Sequence, residues 1–277
     1  MKIFDCFMYF DEEMILDLRL NILNSHVDYF IIVESRYNHK GEKRKLLFNK
    51  EKFIKYRDKI IYLVHDEVPS KVKKINDEDD EKTQTNKYIM NALYRENAQR
   101  NYIINGLNNA NNEDIILISD VDEIPKIDKF EFNKVNNKII LFRQDMFYYK
   151  FNLCLPNFKW TGTKACRKKD LISPQWLRNI KEKKYPFFRI DTFFSDKKYT
   201  DIKIVNDGGW HFSNIKTAKA IEHKLKSYLH HKEFDDVPLS IKEIDQLVQN
   251  KKAIYASSQS QPLIKFREPW INKNINI

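Results

Sequence analysis

The stretch IILISDVDEIP, residues 115–125, decides how this chain is read. It opens as a run of apolar residues of the kind found in a strand buried on both faces, and it ends in acids. In an open parallel sheet, ligands bind outside the carboxyl ends of the strands. Asp120 and Asp122 lie two apart, so in extended chain their carboxylates project to the same side and repel each other unless a cation sits between them. Hard oxygen ligands suit Mg²⁺ or Mn²⁺, and either ion also bridges phosphates. Pro125 ends the strand and fixes the turn that follows.

Either side of this stretch the same grammar recurs. Residues 2–8 (KIFDCFM), 28–34 (DYFIIVE), 60–64 (IIYLV) and 138–142 (KIILF) read as further strands. Helical spacing separates them, which predicts an α/β fold with a mainly parallel central sheet. Asp11 is expected to cap a helix with Glu12 and Glu13 in its first turn and Ile15, Leu18 and Ile22 on its apolar face, beside Leu16, Leu20 and Leu23. Residues 66–86 carry an acidic run and few apolar groups, as a solvated loop or a mobile lid beside the site would. A helix over 87–105 follows, with Ile89, Leu93 and Ile103 on its apolar side and Gly106 as its stop. Another helix spans 216–232 with a stripe of Ala218, Ile221, Leu225 and Leu229. Ser240 and Glu243 form a capping box for a last helix. No repeat and no domain boundary is evident. The expectation is one domain over 1–277, with its core at 1–235 and a C-terminal extension at 236–277.

Composition narrows the class. Hydrophobic residues make up 42% and charged residues 32%, a globular composition rather than a disordered one. With only 5 Gly, Gly-loop nucleotide architectures are disfavoured. Lys and Arg number 49 against 39 Asp and Glu, a net charge of +10 that suits a polyanion or a nucleotide diphosphate. There is no zinc-finger spacing and no RNA-binding motif, so no nucleic-acid partner is expected. Cys6, Cys154 and Cys166 have no CxxC or metal spacing and read as buried thiols in a reducing compartment. There is no signal peptide and no apolar run long enough to span a membrane. The expected location is therefore cytoplasmic.

Other segments supply candidate ligands. Glu34 and Ser35 stand at the end of the second strand, where an acid can accept hydrogen bonds from a ribose or a base. The helical segment YRENAQRNYI, residues 94–103, places Arg95 one turn from Gln99 and Glu96 one turn from Arg100. Glu96 and Arg100 read either as a surface i,i+4 pair or as bringing a guanidinium to a diphosphate. In GGWHFSN, residues 208–214, Gly208 and Gly209 permit close backbone approach. Trp210 offers a stacking face for a sugar, and His211 is a candidate ligand for a metal or a diphosphate. Tyr148, Tyr149 and Trp160 are further stacking candidates. His223, His230 and His231 read as helix-surface or core residues.

Two enzyme classes place Asp-x-Asp after a hydrophobic strand. In haloacid dehalogenase-like phosphohydrolases the first Asp is a nucleophile, but that motif sits near the N-terminus and continues differently. In nucleotide-sugar glycosyltransferases of the GT-A type it binds metal and the sugar nucleotide, which fits better here. A non-catalytic polyanion binder is the reading from a third class.

The run VESRYNHKGEKRKLLF (33–48), the strand end SDVDEIP (119–125) and GGWHFS (208–213) together resemble glycosyltransferase family 17, the family of the β-1,4-mannosyl-glycoprotein 4-β-N-acetylglucosaminyltransferase. The resemblance runs from about residue 1 to about residue 235, and this chain is most similar to short members without an anchor. It implies a GT-A-type, Rossmann-like domain and a UDP-sugar donor, UDP-GlcNAc above all. It further implies transfer with inversion to a glycan or other hydroxyl acceptor. On that reading Asp122, with Asp120 and His211, holds Mn²⁺ or Mg²⁺. The base that takes the acceptor proton is to be found among Glu123, Asp145 and Asp207.

Overall fold

A computed structural model describes residues 1–183, 201–227 and 238–253, and the backbone of 264–265. His230, His231 and Leu229 lie outside the described residues, as does most of the chain beyond 253.

Four parallel strands form the first half of the sheet: β1 (Ile3–Tyr9), β2 (Tyr29–Ser35), β3 (Ile60–His65) and β4 (Ile115–Asp120). They lie in the order β3-β2-β1-β4. Their apolar runs alternate with period two between two cores. Phe30, Ile32, Ile115 and Leu117 join one core with the helix α1 (Glu13–Leu23). Ile31, Val33, Ile116 and Ile118 join the other with Trp176 and Leu177 of the short helix α3 (Pro174–Asn179). Both faces are covered, which is why these strands read as continuous apolar runs rather than alternating ones.

The second half is antiparallel in part. β4 pairs with β7 (Leu153–Arg167), which runs antiparallel to β6 (Ile139–Tyr148) with two register shifts. β6 is joined in parallel by β8 (Ile202–Val205) and β9 (Gly209–Ser213). β9 runs antiparallel to β5 (Glu123–Pro125), and β10 (Ile264–Lys265) runs antiparallel to β7. Among the described residues, five of the nine pairings are parallel, so the sheet is mixed with a parallel bias.

Local structure departs from expectation at three points. Asp11 does not cap α1: Glu12 holds the cap position without a side-chain cap bond, and Asp11 pairs with Lys216 instead. Helix α2 (Glu81–Asn101) starts earlier than expected, capped by Asp80, and its buried residues are Asn91, Ala92, Glu96, Gln99 and Arg100 rather than an apolar stripe. Ile89 is exposed, because the inner face of α2 looks onto a polar site and not onto a core. Gly106 ends a short 3-10 turn after α2 and is there for space, since a Cβ would come within 2.8 Å of Ile31.

The loop before α2 is tied to it: the Asn91 amide accepts from the Lys73 N–H (2.8 Å) and donates to the Lys73 carbonyl (2.7 Å). The Ser240–Glu243 capping box is present on α5 (Ile241–Gln249). Ile244 of α5 packs with Ile221 and Leu225 of α4 (Ala218–Ser227).

Candidate active site

A cavity of about 570 Å³ opens over the carboxyl ends of β1, β2 and β4, and Asp120, Asp122 and Glu123 line it. The strand stops at Asp120, and Val121 and Asp122 form a turn before β5. The two aspartates therefore have different side-chain partners. The turn is held from beneath by Arg19, which is fully buried on α1. Its guanidinium meets Asp5 at 2.6 and 2.7 Å and donates to the carbonyls of Asp120 (3.0 Å), Val121 (3.2 Å) and Glu123 (2.9 Å).

Asp120 sits between two guanidiniums. Its Oδ1 accepts from Arg100 of α2 at 3.0 Å and its Oδ2 from Arg178 of α3 at 2.8 Å. Burial opposes its charge, but Arg178 and Arg100 outweigh that and hold the carboxyl far below its usual range. Glu96 completes the pairing of Arg100 at 2.8 Å. The i,i+4 pair is thus an interior one, with Arg100 2% exposed.

Glu123 is fully buried and all its acceptor positions are filled. Oε1 accepts from the Trp160 indole (2.6 Å) and Arg178 (2.7 Å). Oε2 accepts from Arg178 (2.7 Å) and the Asp120 N–H (3.0 Å). Below Arg178, Lys164 donates to the carbonyls of Arg178 and Ile180, and burial together with the Arg178 charge pushes its ammonium down to about 7.

Asp122 faces the other way, toward β9 and α4. Its Oδ1 lies 3.7 Å from Nε2 of His211, and its Oδ2 lies 3.9 Å from the Lys224 ammonium. Burial opposes ionisation of Asp122, and His211 and Lys224 overcome it and lower its pKa. Burial likewise opposes the imidazolium, but Asp122 raises the pKa of His211. The Asp122–His211 separation is too long for a hydrogen bond and short enough for both groups to reach one ion. A hard carboxylate and an imidazole are a donor set that fits Mn²⁺ or Mg²⁺ completed by phosphate oxygens and water. Among the described residues no group of three or more His, Cys, Asp or Glu side chains is arranged to hold a metal ion.

The register that brings His211 beside the turn is set by glycine. Glu123 lies opposite His211, and Pro125 opposite Gly209. Gly209 has φ +119°, and a Cβ there would meet the Ile124 carbonyl at 2.1 Å. A Cβ on Gly208 would strike the Arg143 backbone at 2.7 Å. Trp210 packs against the core beneath the sheet, whereas Trp160 lines the cavity with its ring centroid 5.4 Å from that of His211.

A match to protein families over residues 1–256 carries the description Glycosyltransferase family 17. The chain belongs to glycosyltransferase family 17. It is therefore a glycosyltransferase, with a donor and an acceptor substrate. No curated protein matches it. Among the described residues no helix is long and apolar enough to cross a membrane.

Within this family 17 chain the remaining candidates fall in distinct places. Ser35, Gln99 and Tyr148 line the cavity. Gln99 donates to the Val33 carbonyl at 3.0 Å, and burial raises the Tyr148 pKa. Glu34 is not in the cavity wall: it accepts from the N–H groups of Leu47 (2.7 Å) and Phe48 (3.1 Å) and from Tyr62 (2.8 Å), pinning the 36–48 strap. Arg95 props that strap by donating to the His39 carbonyl at 3.2 Å, beneath Gly41. Asp145 pairs with Lys159 at 2.5 Å and Asp207 with Lys126 at 2.5 Å, and neither lines the cavity. Tyr149 is buried and donates to the Lys252 carbonyl at 2.8 Å. His223 lies near Phe10, with ring centroids 6.5 Å apart.

Sequence reasoning missed Arg19, Arg178 and Lys224. Arg19 had a signal, a charge between Leu18 and Leu20 on the apolar side of the helix. Arg178 sits in a helix of 6 residues, too short to show a period.

Proposed function

We propose that the chain transfers GlcNAc from UDP-GlcNAc to a hydroxyl of a glycan, with inversion and with Mn²⁺ or Mg²⁺, on a GT-A-type domain. The Asp122–His211 pair in the wall of the cavity, beside a guanidinium-clamped Asp120, carries this reading. Asp122 and His211 would hold the ion, which supplies positive charge to the leaving diphosphate. Lys224 adds a fixed ammonium next to the same carboxylate. Asp120 holds the Arg178 guanidinium in the cavity wall. Trp160 and Tyr148 present aromatic faces to the sugars. Glu123 keeps Arg178 and Trp160 in position and has no lone pair left for a proton. Cys6, Cys154 and Cys166 are buried and unpaired, in keeping with a reducing compartment.

The phosphohydrolase reading fares worse. It needs Asp120 as a nucleophile, and a guanidinium occupies each of its oxygens. Calorimetry and thermal shift with UDP-, GDP- and CMP-sugars, with and without Mn²⁺, test the proposal. UDP-GlcNAc should bind and raise the melting temperature only when the ion is present, and chelation should abolish both effects. A preference for GDP- or CMP-sugars, or full binding in chelator, refutes it.

A further inference from the structure

A second chamber, of about 200 Å³, lies beside the main cavity at the start of α1. The two share Glu12, Asp122, Asn214 and Lys224 as walls. The floor of the small chamber is apolar, from Ile15, Phe212 and Ile215, and its rim is acidic and basic. An apolar floor under hydrogen-bonding rims suits one ring of a neutral sugar, whose C–H face packs while its hydroxyls bond.

Six carboxylates stand on the walls of the two chambers besides Glu12, and each is already engaged. Glu123 has all its acceptor positions filled, and Asp120 has a guanidinium on each oxygen. Asp122, with His211 at 3.7 Å and Lys224 at 3.9 Å, is the carboxylate assigned to the ion above. Glu96 pairs with Arg100, Asp11 with Lys216, and Glu13 with Lys52 through both oxygens. Glu12 differs. Its Oε2 accepts from the N–H groups of Phe10 (3.2 Å) and Asp11 (3.1 Å), which fixes the carboxylate. Its Oε1 lies 3.7 Å from the Lys216 ammonium, beyond hydrogen-bond reach, and among the described residues nothing donates to it.

We propose that the small chamber admits the acceptor and that Glu12 is the base of the transfer. The acceptor hydroxyl's proton passes to Glu12 Oε1 as its oxygen bonds to the anomeric carbon. The bond from that carbon to the diphosphate oxygen breaks, and its electron pair leaves on the nucleoside diphosphate. The proposal rests on the inverting reading above.

The test is UDP release from UDP-GlcNAc with Mn²⁺, using water as the acceptor, for wild type, Glu12→Gln and Glu12→Asp. Donor affinity is measured alongside by calorimetry. Glu12→Gln should bind the donor as wild type does and lose turnover by about 10²-fold or more. Sodium azide, a nucleophile with no proton to give up, should restore Glu12→Gln to near the wild-type azide rate. Glu12→Asp should keep part of the activity. Wild-type hydrolysis by Glu12→Gln, or normal donor binding without azide rescue, overturns the assignment. So does joint loss of donor binding in both variants, which makes Glu12 a wall of the site only. The configuration of the wild-type azide product is read separately. Retention there refutes the inverting reading itself and takes this proposal with it.

Discussion

Arg19→Met should unfold this protein more readily than almost any other single change near the site. The guanidinium is fully buried and faces the fully buried Asp5 carboxylate at 2.6 Å. Removing the cation strands a buried anion, which typically costs about 3–5 kcal/mol. Three carbonyls of the 120–123 turn lose their donor as well, so the upper part of that range applies. Against a total stability of ~5–15 kcal/mol this is a large fraction, equivalent to a fall in melting temperature of roughly 10 °C. The assay is urea denaturation followed by circular dichroism, with Arg19→Met, Asp5→Leu and the double variant in one cycle. Because the double variant leaves no charge stranded, it should be more stable than Arg19→Met alone by about 1 kcal/mol or more. If Arg19→Met costs under about 1 kcal/mol, or if the double variant is simply additive, the buried pair does not hold the turn as argued.

Three further outcomes follow from the same geometry. Asp122→Asn should fold, and its metal-dependent UDP-GlcNAc binding and turnover should fall ~10²-fold or more. Because Asp122 is flanked by His211 and Lys224, with the Asp120 charge already met by arginines, chemical denaturation should show Asp122→Asn slightly less stable than wild type, not more. Burial lowers the pKa of His65 despite Glu67 and Asp66, so the folded state resists its proton while the unfolded chain accepts one near pH ~6.5. Stability should thus be full above that pH and decline as pH falls below it, and His65→Gln should flatten the decline in a pH series of urea melts. Gly209→Ala places a Cβ 2.1 Å from the Ile124 carbonyl at a φ of +119°. It should cost about 3 kcal/mol or more by thermal melting and reduce Mn²⁺-dependent donor binding, because it pushes β9 away from β5.

How much of this was legible in the sequence depended on what each segment packs against. β1, β2, β3 and β4 were readable because they are covered on both faces and so carry uninterrupted apolar runs. The acids at 120–123 were readable because they interrupt such a run where a parallel sheet keeps its ligands. β7 was not, since its middle is exposed, from Asn157 to Lys159, and its register with β6 shifts twice. The inner face of α2 was misread for a related reason: it packs on charges, so Glu96, Gln99 and Arg100 are its buried residues and no apolar period marks them. Arg178 reaches Asp120 across 58 positions of chain, a partnership that no local pattern encodes.

The two-strand pairing of Glu123–Pro125 with Gly209–Ser213 has a consequence for how such a chain can change over time. His211 is set beside Asp122 by a ladder only three residues long, closed by the Phe212 N–H on the Asp122 carbonyl at 2.8 Å. The loops between the two strands can lengthen, shorten or diverge without altering that spacing, whereas β6, whose Asp145–Tyr148 pairs with Trp210–Ser213, cannot. A slip of a single residue within either strand exchanges His211 for a neighbour on the opposite face, Trp210 or Phe212, and erases the imidazole from the seat. Length variation among related chains is therefore expected in the intervening loops and excluded from 123–125, 145–148 and 209–213, whatever acceptor each chain has come to use.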